Sequence, residues 1–484
     1  MQHQKINPEQ TVSTTSLYAE HVKIYPQRIW GRFRVIKWSA LGILLGIYYL
    51  APWLRWDRGI GRPDQALLVD MPNRRAYFFW IEIWPQEVYY LAGLLILGAV
   101  GLFLATSLLG RVWCGFTCPQ TVWTDLFMQV ERWIEGDRNA RMKLDKEPVS
   151  LRKAWLKSAK HAAWLAIAAA TGGAWVMYFN DAPTLLRDLA HFQATWTQVG
   201  FIGLFTATTY LLAGWAREQV CIYMCPWPRF QGAMLDEHSL IVTYEAWRGE
   251  PRGKKKAKET DKLGDCVDCN LCFNVCPTGV DIRNGPQLAC IGCGLCVDAC
   301  NSIMGKLSRP LELITYDSLS NSAARAAGKP PKFKFVRLRT IIYAIGLLLI
   351  TAGMLFSLST RATMSVTVQA DRSPLFVRLG DGEIQDGFTL KISNKSPQPM
   401  EYRVSVEGID GLSVKIIGAD PQAVKVVGDS VGTFRLLVKA PRASLEHKRN
   451  DIVVRAVNIA TGEEGQHGAI FHGPGKHEND NDDD

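Results

Sequence analysis

The sequence predicts an α-helical membrane protein with five transmembrane helices, an inserted cysteine-rich domain and a C-terminal β-sandwich. Three observations predict it. Five apolar runs are long enough to cross a bilayer, two cysteine runs of identical spacing lie between the fourth and the fifth, and the last part of the 484 residues alternates apolar with polar positions.

The apolar runs are about Val35–Leu54, Tyr89–Leu109, His161–Phe179, Val199–Ala216 and Ile341–Ser359. A soluble core helix would show a polar stripe every 3.6 residues, and these do not. The third and fourth carry no charge past His161 and are rich in Gly, Ala and Thr, which let helices approach closely. Lys and Arg number six through Lys37, ten in Gly110–Lys160 and eighteen in Arg217–Arg339, against five in residues 55–87 and one in residues 180–198. With the leader inside, the heavily basic segments all fall on the cytoplasmic side and the carboxyl terminus falls outside. The formal charge of +9 is then a topology signal and a membrane-surface attraction, with no nucleic-acid partner implied. No cleavable signal peptide is apparent, because the first apolar run follows a polar, basic leader.

Shorter segments fit the same picture. Tyr25-Pro26-Gln27 is expected along the membrane face. Ala76–Pro85 is too short to span, and its aromatics suit the outer headgroup belt. Glu82 and Glu87 read as part of that interfacial anchor in preference to a quinone or metal site. Lys254–Lys258 reads as a solvated linker. After the fifth run, Phe388, Leu390 and Ile392, then Tyr402, Val404 and Val406, alternate with polar residues. Further strands are expected near Leu412–Ile417, Ala423–Val427, Thr433–Lys439 and Ile452–Asn458, with turn signals between them. Short alternating strands at this spacing argue for an immunoglobulin-like β-sandwich. The Gly-, His- and Asp-rich end from His472 reads as a disordered tail.

The cysteine-rich domain carries the chemistry. Cys266-Val-Asp-Cys269-Asn-Leu-Cys272-Phe-Asn-Val-Cys276 is followed by Cys290-Ile-Gly-Cys293-Gly-Leu-Cys296-Val-Asp-Ala-Cys300. Two C-x₂-C-x₂-C-x₃-C runs are the ligand pattern of a bacterial-type two-cluster ferredoxin, in which the fourth cysteine of each run serves the other cluster. Cys266, Cys269, Cys272 and Cys300 are therefore assigned to one 4Fe–4S cluster, and Cys290, Cys293, Cys296 and Cys276 to the second. Zinc also uses C-x₂-C pairs, but it rarely takes a third cysteine so close.

The remaining four of the 12 cysteines form two C-x₃-C-P motifs, Cys114–Cys118 and Cys221–Cys225, after the second and fourth runs. No cysteine is left for a structural disulfide, which suits a reducing compartment. On a helical turn, i and i+4 sulfurs share a face, and the proline suits the first turn of a following helix, expected over Thr121–Ile134 or Phe230–Ile241. The repetition suggests that runs one–two and three–four are a duplicated unit. Thiolate pairs without His or carboxylate favour Cu(I), then zinc. Redox dithiols, one shared four-sulfur site and plain buried cysteines are the competing readings. Transmembrane haem is not expected, since His161 sits at the edge of its run and His191 in a loop.

These readings divide the chain into a cytoplasmic leader (1–34), a four-helix transmembrane region (35–216, with the second C-x₃-C-P motif extending to 226), a cytoplasmic helix and basic linker (217–262), the two-cluster ferredoxin (263–310), a linker (311–340), the fifth helix (341–359), a periplasmic β domain (360–474) and a tail (475–484).

With those motifs the chain resembles the CcoG/FixG family of cytochrome oxidase accessory proteins. The resemblance implies a multi-pass protein of the bacterial inner membrane that assists assembly of cbb-type oxidase by reducing Cu(II) to Cu(I). Cys114, Cys118, Cys221 and Cys225 would bind or reduce copper, and the eight ferredoxin cysteines would carry the clusters. The partners implied are oxidase assembly factors or a copper-transporting ATPase, the lipid bilayer and an electron donor of unassigned identity, with room for a homodimer. The alternative is a quinol-oxidising polyferredoxin resembling NapH and NosR, passing electrons to a partner reductase. A non-catalytic assembly scaffold is the third class.

Overall fold

The computed structural model describes residues 23–59, 62–253, 263–396, 398–445 and 447–474. The basic stretch Lys254–Lys258, most of the leader and the tail beyond residue 474 lie outside the described residues. The chain forms two units, residues 1–354 and 355–484.

In the first unit, α1 (Arg32–Leu50) leads into a three-stranded antiparallel meander, β1 (Leu67–Asp70), β2 (Arg75–Phe78) and β3 (Ile81–Ile83). The aromatic segment Ala76–Pro85 is thus mostly strand, with Ala76 opposite Ile83. Glu82 pairs with Arg75 at 3.0 Å, and Glu87 accepts the Trp84 N–H at 3.1 Å in a 3₁₀ turn that opens α2 (Tyr89–Leu109). Both carboxylates have partners within the fold.

The helices that follow are α3 (Pro119–Glu135), α4 (Arg138–Lys146), α5 (Leu151–Met177), α6 (Ala182–Ala190) and α7 (Trp196–Thr209). Local chemistry sets their starts. Ser150, Asp181 and Thr195 each accept an N–H of the first turn, and Thr195 with Gln198 completes a capping box. Among the described residues, four helices are long and apolar enough to cross a membrane, Arg32–Trp53, Pro85–Leu109, Trp196–Ala216 and Leu338–Ser359. Their side chains face outward, with Leu94, Leu95, Leu348 and Leu349 exposed.

The expectation of five spans is corrected at the third. Helix α5 covers that run, but its apolar half is built from Ala, Gly, Thr and Trp, and its first half carries cations used inside the fold. Lys157 and Lys160 pair with Glu135 of α3 at 3.0 and 3.1 Å. One turn earlier on α3, Glu131 is paired with Arg141 and Arg217 at 2.9 Å each, and on another face of the helix Asp125 is paired with Arg34 at 2.9 Å. Burial pushes the Glu131 carboxyl up, but Arg217, Arg141 and Lys160 outweigh it and hold the group below the usual range. Removing one partner from such a buried network typically costs about 3–5 kcal/mol. The Gly and Thr content of α5 serves close packing, since a Cβ on Gly172 would lie 2.7 Å from the Ile202 carbonyl of α7.

After α7 come α8 (Trp227–Met234), β4 (Ile241–Tyr244), α9 (Ala246–Gly249), α10 (Leu271–Asn274), α11 (Leu295–Lys306), β5 (Ile314–Asp317), α12 (Leu319–Ala326) and α13 (Leu338–Ser359). The segments read as linkers, 217–262 and 311–340, supply β4 and β5. These pair antiparallel and clasp the cysteine domain from both sides, Ile241 opposite Asp317. The stretch at Tyr25 does not simply skirt a membrane face. Tyr25 donates to Asp145 at 2.7 Å, Pro26 accepts from Arg141 at 2.6 Å, and the Gln27 N–H reaches the Asn274 carbonyl at 2.8 Å.

The second unit is a β-sandwich. One sheet runs β10 (Ser413–Ile417), β12 (Ser430–Pro441), β8 (Glu383–Asn394), β6 (Met364–Ala370), with β7 (Val377–Arg378) also on β8. The other runs β11 (Val424–Val426), β9 (Met400–Glu407), β13 (Arg449–Asn458), β14 (Glu464–His472). Alternate residues Phe388, Leu390, Ile392, Tyr402, Val404, Leu436, Val438, Ile452 and Val454 fill the core between them.

Candidate metal centres

The two cysteine runs wind through the same conformations. Left-handed residues fall at matching places, Asp268 and Asn270 in the first run (φ 50 and 57°), Gly292 and Gly294 in the second (φ 68 and 73°). Asp and Asn tolerate that region better than other side chains. At 292 and 294 the added Cβ would press on Arg111 and Phe33, so glycine is required by space as well.

This winding brings the sulfurs into two cages. Cys266, Cys269, Cys272 and Cys300 surround one cavity, with Tyr244 and Arg283 in its wall. Cys276, Cys290, Cys293 and Cys296 surround the other, with Val242, Ile282 and Ile291. Each cage therefore takes its fourth cysteine from the opposite run. Among the described residues, no three His, Cys, Asp or Glu side chains converge closely enough for a single metal ion. Four sulfurs per cage, drawn from both runs at the spacing of a two-cluster ferredoxin, fit a polynuclear iron–sulfur cluster better than zinc. Amide N–H groups of Val280 and Gly292 reach the sulfurs of Cys276 and Cys290 at 3.3 and 3.4 Å. Burial pushes the Cys290 and Cys300 thiols up to about 12, and Cys272 to about 11. Metal binding must displace those protons.

The C-x₃-C-P motifs also share one backbone path. Four residues before the first cysteine the chain takes a positive φ, at Gly110 (65°) and Arg217 (43°). A π-helical turn follows, Trp113–Thr117 or Val220–Met224. The second cysteine is extended, as the residue before proline prefers, and its N–H closes on the carbonyl five residues back at 2.8 Å in both motifs. Helices α3 and α8 then start, at Pro119 and just past Pro226. The expected turn-then-helix arrangement is present, as a π turn, but the helix expected over Phe230–Ile241 ends at Met234 and Ile241 opens β4; the match between the motifs supports the duplication read from sequence.

The four sulfurs lie within electrostatic reach of one another. Burial, then the neighbouring Cys118 and Cys221, push Cys114 up to about 12, and Arg111 opposes them. Burial, then Cys118 and Cys225, do the same to Cys221. Cys118 is raised by burial, while the amides of Thr121 and Gln120 at the start of α3 pull it back. A tetrahedral four-sulfur site for one ion is not preformed.

Three residues without a cysteine's signature organise this region. Gly115, inside the first turn, packs on the second ferredoxin run: its missing Cβ would lie 3.0 Å from the Ile291 carbonyl and 3.1 Å from Cys293 Cα. Arg111 donates to the carbonyls of Leu288, Cys290 (2.7 Å) and Pro228 (3.2 Å), tying both turns to one cage. Asp298, between Cys296 and Cys300 on α11, accepts the N–H groups of Phe33 and Arg34 at 3.2 and 2.8 Å and caps α1. The one sequence signal for Arg111 is its place just before Cys114. Of the two histidines weighed for haem, His161 pairs with the Tyr210 hydroxyl at 2.8 Å, and His191 contacts the Arg187 carbonyl.

Fold and cages together define a ferredoxin-type dicluster iron–sulfur protein carrying apolar helices. Comparison with known proteins agrees. A 4Fe-4S dicluster domain matches residues 216–319, a 4Fe-4S binding domain matches 91–139, and the Ig-like fold at the C-terminus of FixG matches 354–474. Protein RdxB of Cereibacter sphaeroides is 47% identical over 474 residues, covering 96% of this chain and 98% of its own. Nitrogen fixation protein FixG of Rhizobium meliloti is 45% identical over 493 residues, covering 95% and 94%. A crystal structure of a FixG-related protein from Vibrio parahaemolyticus aligns with 23% of this chain and 96% of its own, at 22% identity and a TM-score of 0.21. The chain belongs to the FixG family.

Proposed function

We propose that this FixG-family iron–sulfur protein is a membrane-embedded cupric reductase that assists assembly of cbb-type cytochrome oxidase. The observation that carries the reading is the contact of Gly115, between Cys114 and Cys118, with the Ile291–Cys293 loop of a cage. Clusters held in the cages supply single electrons, and Cu(II) to Cu(I) consumes one. Cys114, Cys118, Cys221 and Cys225 offer the soft ligands that favour the Cu(I) product over the Cu(II) substrate, so binding there draws the reduction forward. In this reading the four apolar helices lie in the bacterial inner membrane with α5 running back beside α7, so that both C-x₃-C-P turns and the ferredoxin are cytoplasmic and the β-sandwich is periplasmic. Assembly factors or a copper-transporting ATPase would receive the Cu(I).

A second reading, quinol oxidation feeding a partner reductase, draws on a cavity of about 220 Å³ lined by Leu235, Ile241, Leu288, Tyr316 and Arg111 and bordered by Cys290. An anaerobic copper titration separates the two. Stoichiometric Cu(II) reduction that is lost on Cys→Ser change at Cys114/Cys118 or Cys221/Cys225, with cluster absorbance intact, supports the first. Quinol oxidation indifferent to copper supports the second.

A further inference from the structure

We propose that Arg111 is the fixed counter-charge of the cage formed by Cys276, Cys290, Cys293 and Cys296, and makes the cluster held there the higher-potential one of the two. The inference rests on the dicluster assignment and holds whether or not copper is the acceptor. It gives the electron path a direction, from the cage of Cys266, Cys269, Cys272 and Cys300 toward the C-x₃-C-P turns.

The argument is a comparison of charges. A cluster held by four thiolates is anionic and becomes more so on reduction, so a nearby cation favours the reduced form and a nearby carboxylate opposes it. The wall of the first cage holds Arg283, and two carboxylates answer it: Asp268 and Asp281 each pair with it at 2.7 Å. Arg248 nearby pairs with Asp265 at 3.0 Å. The cations on that side are matched or outnumbered.

On the second side the balance reverses. Arg111 is 8% exposed, and its guanidinium meets only the carbonyls of Leu288, Cys290 and Pro228. Among the described residues no carboxylate pairs with it. The carboxylates closest to this side are engaged: Asp125 by Arg34 and Lys37, at 2.9 and 3.9 Å, and Asp298 by the first amides of α1. A buried charge without a partner is costly, and an anionic cluster behind Cys290 supplies the partner. Burial alone would disfavour adding an electron here. An unmatched guanidinium in the same low-dielectric surroundings works against that and outweighs it.

Gly232 on α8 offers a way to neutralise Arg111 without removing its hydrogen bonds. A Cβ there would sit 3.6 Å from Arg111 Nη2 and 3.4 Å from Leu288 Cδ2, ordinary contacts at the edge of the 220 Å³ cavity. The test is an EPR-monitored redox titration of the full chain in detergent, with iron and sulfide counted. The wild-type chain is expected to titrate in two steps. Arg111→Gln and Gly232→Asp should each move the upper step to lower potential and leave the lower step in place, while Arg111→Lys and Gly232→Asn keep both. Asp268→Asn should raise the lower step alone. Should Arg111→Gln lose iron, Gly232→Asp decides. A single step in the wild-type chain, or a Gly232→Asp chain whose upper step does not move, overturns the proposal.

Discussion

The turns around Cys114 and Cys221 follow the same backbone path through different surroundings. The first is enclosed: Cys114 is buried, its sulfur donates to Gln231 at 3.1 Å, and Gly115 lies on the second cysteine run. The second opens outward, with Cys225 exposed and Tyr223 and Met224 largely uncovered beside it. At the position that starts each turn, the first has Gly110, whose added Cβ would lie 2.1 Å from the Leu240 carbonyl. The second has Arg217 held at φ 43°, where its guanidinium meets Gly214 at 2.8 Å, Glu131 at 2.9 Å and the face of Trp164. One copy spends the strained position on close packing, and the other on a cation that ties the turn to α3. The shared path thus gives one turn that lies against a cysteine cage and another that faces the surroundings.

Four substitutions test that contrast. The largest effect is expected for Gly110→Ala, which sets a side chain into backbone at a positive φ. A loss of about 3 kcal/mol or more, read as a fall in Tm in detergent, follows from strain and overpacking together. Arg217→Ala should come next, at about 3 kcal/mol, the low end for loss of a buried partner, because Glu131 keeps Arg141. Arg217→Gly should be milder than Arg217→Ala by about 1 kcal/mol, since glycine accepts the backbone that alanine resists. If the two are equal, strain plays no part at 217. Gly115→Ala is expected to cost about 1–3 kcal/mol by the same overpacking. Its sharper readout is slower reduction of an acceptor at the thiols while cluster absorbance stays intact. The smallest effect is a rate order: alkylation of the native chain, followed by mass spectrometry, should modify Cys225 well before Cys114. The reverse order would mean that the first turn, not the second, is the open one.

How much of this could be read in the residues depends on the range of the interaction. The cages follow from spacing of three residues or fewer, so their cysteines stand out in the chain. The strands β8, β9, β10, β12 and β13 were visible because a sandwich interior repeats every second residue. The third apolar run misled because its length is made up largely of Ala, Gly and Thr, which pack helices closely but add little hydrophobicity, and because nothing local says what the lysines just before it will meet. Lys157 and Lys160 find their carboxylates on α3, 22 and 25 residues back for Glu135 alone. The pairing of β4 with β5 joins segments more than 60 residues apart, and each is too short to signal itself. Arg111 could be seen but not interpreted, since its partners are carbonyls, which every residue carries.

The aspartate on α11 ties together parts of the chain that are made far apart in synthesis. The acceptor for the leading amides of helix α1, Asp298, is made some 260 residues after that helix, on a helix that also bears Cys296 and Cys300. Gly31 leaves just enough room for that carboxylate to reach in, since a Cβ would lie 2.4 Å from its Cγ. The start of α1 is therefore capped only once the cysteine domain has closed against it, which couples the folding of that domain to the completion of the helix.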